Sequence, residues 1–400
     1  MPDITPQFVT SYERRMRAIT ENSYARRLMS NRIWWNKIMK TVPIESASER
    51  VAWILDTATI EPSGPTGSGG MTFENMVTLS AEYPVFRHNK GIVINRDQLE
   101  DLNGTGLNQA AKWSSNIGSE IAYYPQRIAT QLILNGANTD GSANAYDGIP
   151  FFADYSTSSV AGTLVHGHPY NPFRPQLDGY ANWYHGAAVT TSAGVMYPGA
   201  CPIDQSVSVD TALTNLGNVV AAIANVKMPN GVDPAMLTPV ALIAAPRMAP
   251  RLRQLLSAKT IAQTAGSSGT AGGGADVEAI ITGWGLGQPI IAHEFGGAFS
   301  YNFNQPFVQA SSGNITYLPE TVSGCDTTYY VICEESRTTE LGGLLYLTRK
   351  PFKVNYYTGD AGGTGQLANL DRQNNFEYQV QGRMAGGYGH PYTVFRVDGS

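Results

Sequence analysis

Alternating apolar and polar side chains predict a long β-hairpin near the start of the chain. A first strand-like run covers residues 51–55, and a tip rich in glycine and proline follows at 61–70. On the return run, Thr, Glu and Ser side chains occupy one face, and the other face is apolar. The apolar side chains are Phe73, Val77, Leu79, Tyr83 and Val85. This period of two indicates a half-buried strand, so we expect a hairpin over residues 49–94, whose edges need a cover.

A second periodic region predicts one long amphipathic helix. The apolar stripe comprises Leu107, Ala110, Ser114, Ile117, Ile121, Tyr124, Ile128 and Leu132. Its spacing of three and four residues is typical of one helix face, and a helix over 107–134 would be about 42 Å long. We expect Ile117, Ile121, Ile128 and Leu132 to form its core and place Gln126 on its polar face. Pro125 removes a backbone donor and predicts a kink, and Asn135-Gly136 is a typical helix end.

The residues before the hairpin form a basic arm with no clean apolar stripe. Residues 1–48 hold six arginines, followed by the adjacent pair Trp34 and Trp35. Two interpretations fit this segment. The arm is either a solvated helix whose two tryptophans pack on the body of the same chain, or an extension that lies on a neighbouring subunit. Trp and Arg are enriched at interface hot spots, which favours the second interpretation.

The rest of the chain mixes helices and strands. Residues 153–208 lack helical periodicity and combine aromatic, glycine, proline and histidine residues. Helices are predicted at 209–226 and 247–258. Strands are predicted at 240–244, 279–281, 289–292, 328–333, 344–356, 376–380 and 392–397. The predicted fold class is therefore α+β.

Composition excludes several classes of protein. The net charge is −5 and only 15% of the residues are charged, so a nucleic-acid reader is not expected. No window approaches about 18 uninterrupted apolar residues, and the segment Met1-Pro2-Asp3 does not resemble a secretory signal. The three cysteines suit a reducing compartment better than a disulfide framework.

No group of residues in the sequence predicts a catalytic centre, a cofactor site or a metal site. His166 and His168 could supply two metal ligands, but no third ligand is near and the proline-rich surroundings favour a surface loop. Cys325 and Cys333 lack the spacing of a metal or redox motif. Cys201 has no activating neighbour in the sequence, so we expect an inert thiol.

Four motifs in order resemble the Mu-like major head subunit family of tailed bacteriophages. The first is FRHNKGIVINRDQLED at residues 86–101, which leads into the predicted long helix. The second is YDGIPFF at 146–152, which follows Gly136. The third, PVALIAAPRMAPRLRQLLSA at 239–258, and the fourth, FEYQVQGRMAGGYG at 376–389, resemble the family's strand-Pro-helix unit and its closing strand. The stretch at 153–208 is longer and more aromatic than the family pattern, and residues 1–48 carry no family motif.

The resemblance implies the HK97-like capsid fold. Residues 1–48 would be the N-terminal arm and 49–94 the extended loop that reaches over an adjacent subunit. Residues 95–136 and 341–400 would form the peripheral domain with its spine helix, packed against closing strands that include Tyr378 and Val380. Residues 137–340 would form a mixed α/β axial domain, with an aromatic insertion at about 153–208. Trp34, Trp35, Phe73, Val77, Leu79 and Tyr83 would then lie at subunit interfaces.

The function that follows from the resemblance is that of a major capsid protein without enzymatic activity. Its copies would assemble into hexamers and pentamers of an icosahedral shell around double-stranded DNA. Scaffold, portal and decoration proteins are the other implied partners, and the virion, assembled in the bacterial cytoplasm, is the implied location. Two alternatives stay open. One is an encapsulin-like nanocompartment, and the other is a β-rich protein that binds or cleaves glycans through the aromatic segment 170–197.

Overall fold

The computed structural model describes most of the chain, with gaps between the described ranges. These ranges are 6–30, 32–46, 48–54, 78–95, 105–155, 158–160, 163–170, 179–190, 196–228, 233–257, 286, 289–296, 300–302, 308–311, 314–317, 321–323, 325–335, 342–357 and 375–399. Phe73, Val77 and the predicted strand at 279–281 lie outside them.

The described elements combine α-helices with short and long strands. The helices are α1 (Pro6–Leu28), α2 (Thr105–Asn135), α3 (Val209–Ala224) and α4 (Ala249–Ser257). The strands are β1 (Met39–Pro43), β2 (Ser48–Ile54), β3 (Thr78–Pro84), β4 (Phe86–Asn95), β5 (Ser158–Val160), β6 (Thr163–His166), β7 (His168–Pro169), β8 (Gly179–Tyr180), β9 (Trp183–Tyr184), β10 (Val189–Thr190), β11 (Met196–Tyr197), β12 (Leu237–Ala244), β13 (Ile290–Ile291), β14 (Ser300–Asn302), β15 (Val308–Ser311), β16 (Asn314–Tyr317), β17 (Thr321–Ser323), β18 (Thr328–Glu335), β19 (Leu344–Tyr357), β20 (Asn375–Tyr388) and β21 (Val394–Asp398). The predicted α+β class is confirmed.

The first sheet has four strands in the order β1-β19-β20-β4. β1 runs parallel to β19, whereas the other pairs are antiparallel. Two adjacent glycines of β20 let α2 approach one face of this sheet and β3 the other. A Cβ atom at Gly386 would overlap the Ile128 and Leu132 side chains of α2, and a Cβ atom at Gly387 would overlap the Tyr83 ring. The sheet is therefore packed between the long helix and the base of the β2–β3 hairpin.

The second sheet has five strands in the order β13-β12-β18-β21-β9. Helices α3 and α4 contribute Leu216, Ile223 and Leu252 to its core, together with buried tyrosines of the segment 170–197. The Ser208 hydroxyl begins α3 by accepting a hydrogen bond from the Thr211 backbone N–H at 3.1 Å. The last strand of the chain, β21, belongs to this sheet and not to the first one.

The β2–β3 hairpin belongs to a separate sheet of order β16-β15-β3-β2. β2 and β3 pair in antiparallel register from Ser48 opposite Pro84 to Ile54 opposite Thr78. The hairpin ends at Pro84, which corrects the predicted boundary at residue 94. Residues 86–95 instead pair along β20, because an alternating pattern identifies a strand without identifying its partner.

Candidate functional site

The arm is anchored to the body of the protein at the junction between α2, the first sheet and the second sheet. Trp34 is only 3% exposed, and its ring lies 5.8 Å from that of Phe295 between centroids. Its backbone N–H donates to Gln126 Oε1 at 3.0 Å. Trp35 is partly buried and packs against Tyr346, with ring centroids 5.3 Å apart. Both tryptophans therefore pack on their own chain.

A buried carboxylate forms the centre of this junction. Glu294 lies in a short 3₁₀ turn after β13 and is 5% exposed. Its Oε1 atom accepts a hydrogen bond from Gln126 Nε2 at 2.6 Å and another from the Tyr123 hydroxyl. The Trp34 indole N–H points at Oε2 from 3.5 Å. A carboxylate removed from water needs such donors, so Glu294 holds the arm, α2 and the second sheet together.

Two arginines flank the Tyr123 ring beside this carboxylate. The guanidinium carbons of Arg27 in α1 and Arg127 in α2 lie 5.7 and 5.5 Å from the ring centroid. Arg127 also pairs with Glu120 at 2.8 Å. These distances are within the range of cation–π contacts. They add a second link between α1 and α2, near the end of α1.

The middle of α1 lies directly against α2 and β20. The Thr20 hydroxyl is 2.6 Å from the Tyr378 hydroxyl, and the Ser23 hydroxyl donates to the Ser115 carbonyl at 2.7 Å. Gly118 of α2 permits the contact, because a Cβ atom there would overlap the Thr20 backbone. Met16 is buried in a cluster with Ile117, Tyr378 and Val380. The packed face of α1 is thus fixed by both shape and hydrogen bonds.

The structure redistributes the side chains that the sequence assigned to subunit interfaces. Tyr83 is fully buried among Leu345, Leu347 and Ala385, and its hydroxyl donates to the Tyr388 carbonyl. Burial raises the pKa of the Tyr83 hydroxyl. Tyr83 and Trp34 therefore have no side-chain surface left for a neighbouring subunit, which corrects that prediction for both. Leu79 lies opposite Trp53 in the hairpin register.

The stripe of α2 faces both the first sheet and α1. Ile128 and Leu132 are buried in the cluster that contains Trp34, and Ile117 is buried against Val380. Ile121 is only partly buried. The assignment of Gln126 to a polar, solvated face was wrong, because that side chain is 1% exposed and hydrogen-bonded to Glu294.

His168 is buried, and the expected surface loop is therefore wrong. Its Nδ1 atom lies 2.7 Å from Asp147 Oδ2 and its Nε2 atom 3.1 Å from the Phe151 carbonyl. Asp147 also accepts from the Ile149 backbone N–H at 3.1 Å. The pair fixes the turn that follows α2 against β7, and the Tyr180 ring stacks on His168 at 5.4 Å.

The three thiols occupy different environments. Cys201 and Cys333 are buried, and burial raises the pKa of Cys201 to about 11 and that of Cys333 as well. At Cys325, burial also favours the thiol, but hydrogen bonds from Thr328 and Thr327 outweigh it and lower the pKa. The Thr328 hydroxyl lies 3.1 Å from the Cys325 sulfur. Cys201 is thus a buried thiol, and its inertness stays a prediction.

The aromatic segment contributes to the core more than to the surface. Tyr170, Tyr180, Tyr184 and Tyr197 are all buried in the second-sheet cluster. Trp183 is partly buried and donates from its indole to Asp398 Oδ2 at 2.7 Å, under the Arg396 guanidinium. The rings of these four tyrosines are buried and cannot stack on a sugar. They therefore do not support the alternative of a glycan-binding protein.

The residues that the structure describes offer neither a metal-binding cluster nor a membrane-spanning helix. Among them, no group of three or more His, Cys, Asp or Glu side chains could hold a metal ion. Within the same residues, no helix has the length and apolar character needed to cross a membrane.

Comparison with known proteins gives structural neighbours only. No known protein-family model matches the chain, and no curated protein matches it significantly. The capsid of cyanophage P-SCSP1u is 11% identical over 90% of this chain and 86% of its own, with a TM-score of 0.47. The mature capsid of bacteriophage PhiM1 is 12% identical over 91% and 86%, also at 0.47. A virus-like particle from Pyrococcus furiosus is 11% identical over 97% and 99%, at 0.41. All three TM-scores lie below 0.5, so the assignment of function rests on the chain's own residues.

Proposed function

We propose that this chain is the major capsid protein of a tailed bacteriophage or prophage, with an HK97-like fold. The observation that carries the proposal is the order and packing of its elements. An arm helix lies on a long helix, which crosses one face of the first sheet while a hairpin is anchored on the other face. The same chain adds a second sheet with its own helices. The four family-like sequence motifs occupy β4, the turn after α2, the β12–α4 unit and β20.

The hairpin supplies a physical reason for assembly. In its sheet, β2 and β16 are the outer strands among the described residues. Unpaired strand edges favour association with another chain unless they are covered. A neighbouring copy that covers the β2 edge would turn this edge into an interface. Leu79, Phe73 and Val77 of the hairpin, together with the partly buried Trp35, are the side chains that we assign to such contacts.

The composition suits a shell subunit. A protein that contacts several copies of itself needs large surfaces with few charges, and only 15% of these residues are charged. We infer self-assembly into hexamers and pentamers that enclose double-stranded DNA, without a catalytic role. Scaffold, portal and decoration proteins would be further partners during assembly in the bacterial cytoplasm, and the mature location would be the virion.

The size of the purified protein tests the proposal. We expect sedimentation velocity to detect megadalton particles or five- and six-membered rings, and negative-stain electron microscopy to show closed shells. Shells from infected or induced cells should contain nuclease-protected DNA. Shells that hold a protein cargo instead would support the nanocompartment alternative. A stable monomer at every protein concentration would contradict both.

A further inference from the structure

Positive charge is concentrated in the arm. Residues 1–48 contain eight basic and four acidic side chains, whereas the remaining residues contain 19 basic and 28 acidic ones. The net charge is therefore +4 in the arm and −9 in the rest of the chain. The overall value of −5 hides this separation. Every basic residue of α1 is an arginine, and no lysine occurs in the helix.

Four of the five arginines of α1 have exposed side chains, and Arg17, one of these four, borders the groove between α1 and β19. Arg14, Arg15, Arg17 and Arg26 are exposed. Arg15 and Arg26 are three helical turns apart and lie on the same side of α1, so their Cα atoms are about 16 Å from each other along the helix axis. The α1 helix contains two acidic residues, Glu13 and Glu21, and the Glu21 side chain is exposed.

The opposite face of α1 cannot turn outward without breaking its contacts. Met16 is 1% exposed, and the Thr20 hydroxyl contacts the Tyr378 hydroxyl. The α1 backbone at Thr20 lies so close to Gly118 that a Cβ atom there would overlap it. These contacts fix the rotation of the helix about its axis. The exposed arginines are therefore presented in a constant arrangement, so little ordering of the backbone is needed when they bind a partner.

We propose that the exposed arginine face of α1 binds the phosphate backbone of double-stranded nucleic acid without reading its sequence. Guanidinium groups pair with phosphate oxygens through two parallel hydrogen bonds. A row of arginines can engage a duplex at any register, since phosphates repeat along it. Specific docking on the acidic part of a second copy would instead need carboxylates in matching positions. Screening over about 8 Å at physiological salt keeps the negative charge of the body from cancelling the contact.

This contact goes beyond the shell function and does not depend on it. It concerns one helix of the single chain, and it can be measured whether or not the chain forms a shell. Failure of the proposed capsid function would leave the arginine face of α1 and its binding unchanged. Conversely, a chain that assembles normally without binding nucleic acid would refute only the contact.

Fluorescence anisotropy with a labelled, random-sequence DNA duplex tests the contact in the full-length chain. The test variant replaces three exposed arginines of α1: Arg14→Gln, Arg15→Gln and Arg26→Gln. The control replaces three exposed basic residues outside the arm: Lys90→Gln, Arg253→Gln and Lys350→Gln. Both variants change the net charge equally. Circular dichroism should show the same melting temperature for each, because the substituted side chains are exposed.

We expect the wild type to bind the duplex with an affinity that falls steeply as salt rises. Loss of three phosphate contacts should reduce the slope of log K against log salt by about 2.7 and weaken binding by at least about tenfold near 0.1 M salt. The control should retain the wild-type slope. The proposal is refuted if the wild type does not bind, or if the two variants lose affinity equally. A third outcome would also refute the proposal: the wild type does not bind DNA, and the arginine variant loses self-association. The arginine face would then bind a second copy of the chain.

Discussion

Gln126 Nε2 donates a hydrogen bond to Glu294 Oε1 over 2.6 Å, across 168 positions of sequence. The same glutamine accepts the Trp34 backbone N–H through its Oε1 atom. One amide side chain on α2 thus connects the arm to the second sheet. Because both of its polar ends are used, its replacement leaves two buried groups short of a partner.

The first prediction concerns this glutamine. Gln126→Ala should lower the free energy of unfolding by about 1–3 kcal/mol, because Glu294 loses a donor and the Trp34 N–H loses its acceptor. Chemical denaturation measures the change. Asn116→Ala on the exposed face of α2 is the matched control and should change stability by less than about 0.5 kcal/mol. Equal effects of the two substitutions would contradict the role of Gln126.

The second prediction concerns the approach of α2 to the first sheet. A Cβ atom at Gly386 would overlap Ile128 and Leu132, so Gly386→Ala should destabilise the fold by about 1–3 kcal/mol. Gly91 of the same sheet is the control. Its Cβ atom would make ordinary contacts at 3.4 Å, and Gly91→Ala should be nearly neutral. Thermal unfolding distinguishes the two, and an unchanged melting temperature for Gly386→Ala would count against this packing.

The third prediction compares two histidine–aspartate pairs that differ in burial. The His168–Asp147 pair is fully enclosed at 2.7 Å, whereas His185 and Asp154 pair at 2.8 Å with the histidine side chain 34% exposed. Asp147→Ala should destabilise the protein by about 1–3 kcal/mol, because buried His168 Nδ1 and the Ile149 backbone N–H lose their hydrogen-bond partner. Asp154→Ala should cost at most about 1 kcal/mol. A denaturation series that ranked them in the opposite order would show that the buried pair has been misassigned.

The fourth prediction concerns the reactivity of the thiols. Thiolates are the reactive species, and the pKa of Cys325 is lowered whereas burial raises the pKa values of Cys201 and Cys333. At pH 8, iodoacetamide should therefore add first to Cys325 in the native protein. Mass spectrometry of tryptic peptides locates the adduct, and Cys325→Ser should abolish the early reaction. Faster labelling of Cys201 than of Cys325 would be inconsistent with the described environments.

The fifth prediction separates folding from assembly. Replacement of residues 55–77 by an Asn-Gly turn retains β2 and β3, and Tyr83 keeps its contact with Tyr388. The subunit should stay folded, with an unchanged circular dichroism spectrum, but should form no closed shells in electron micrographs. A matched insertion of Asn-Gly after Gly186, an exposed position, should still allow assembly. Normal particles from the shortened chain would show that residues 55–77, which include Phe73 and Val77, are not needed for assembly.

Local patterns in the sequence were sufficient to predict elements but not their partners. The α2 stripe is long enough to define one helix, and the described helix spans Thr105–Asn135. The alternating pattern of the return run up to Val85 did not reveal that the next strand, β4, leaves the hairpin to pair with β20. Burial of Gln126 and His168 was also missed, because each becomes favourable only through a distant partner. The one local sign that Gln126 is buried is its position within three residues of the apolar Ile128 and Ala129.

The most direct test of the central claim is a cryo-electron microscopy reconstruction of the assembled protein. We predict an icosahedral shell in which each subunit fits the described fold, with α2 packed on the β1-β19-β20-β4 sheet and the β2–β3 hairpin lying on a neighbouring subunit. A well-resolved map of a monomer or of a small closed oligomer, formed under all conditions that preserve the fold, would contradict the claim.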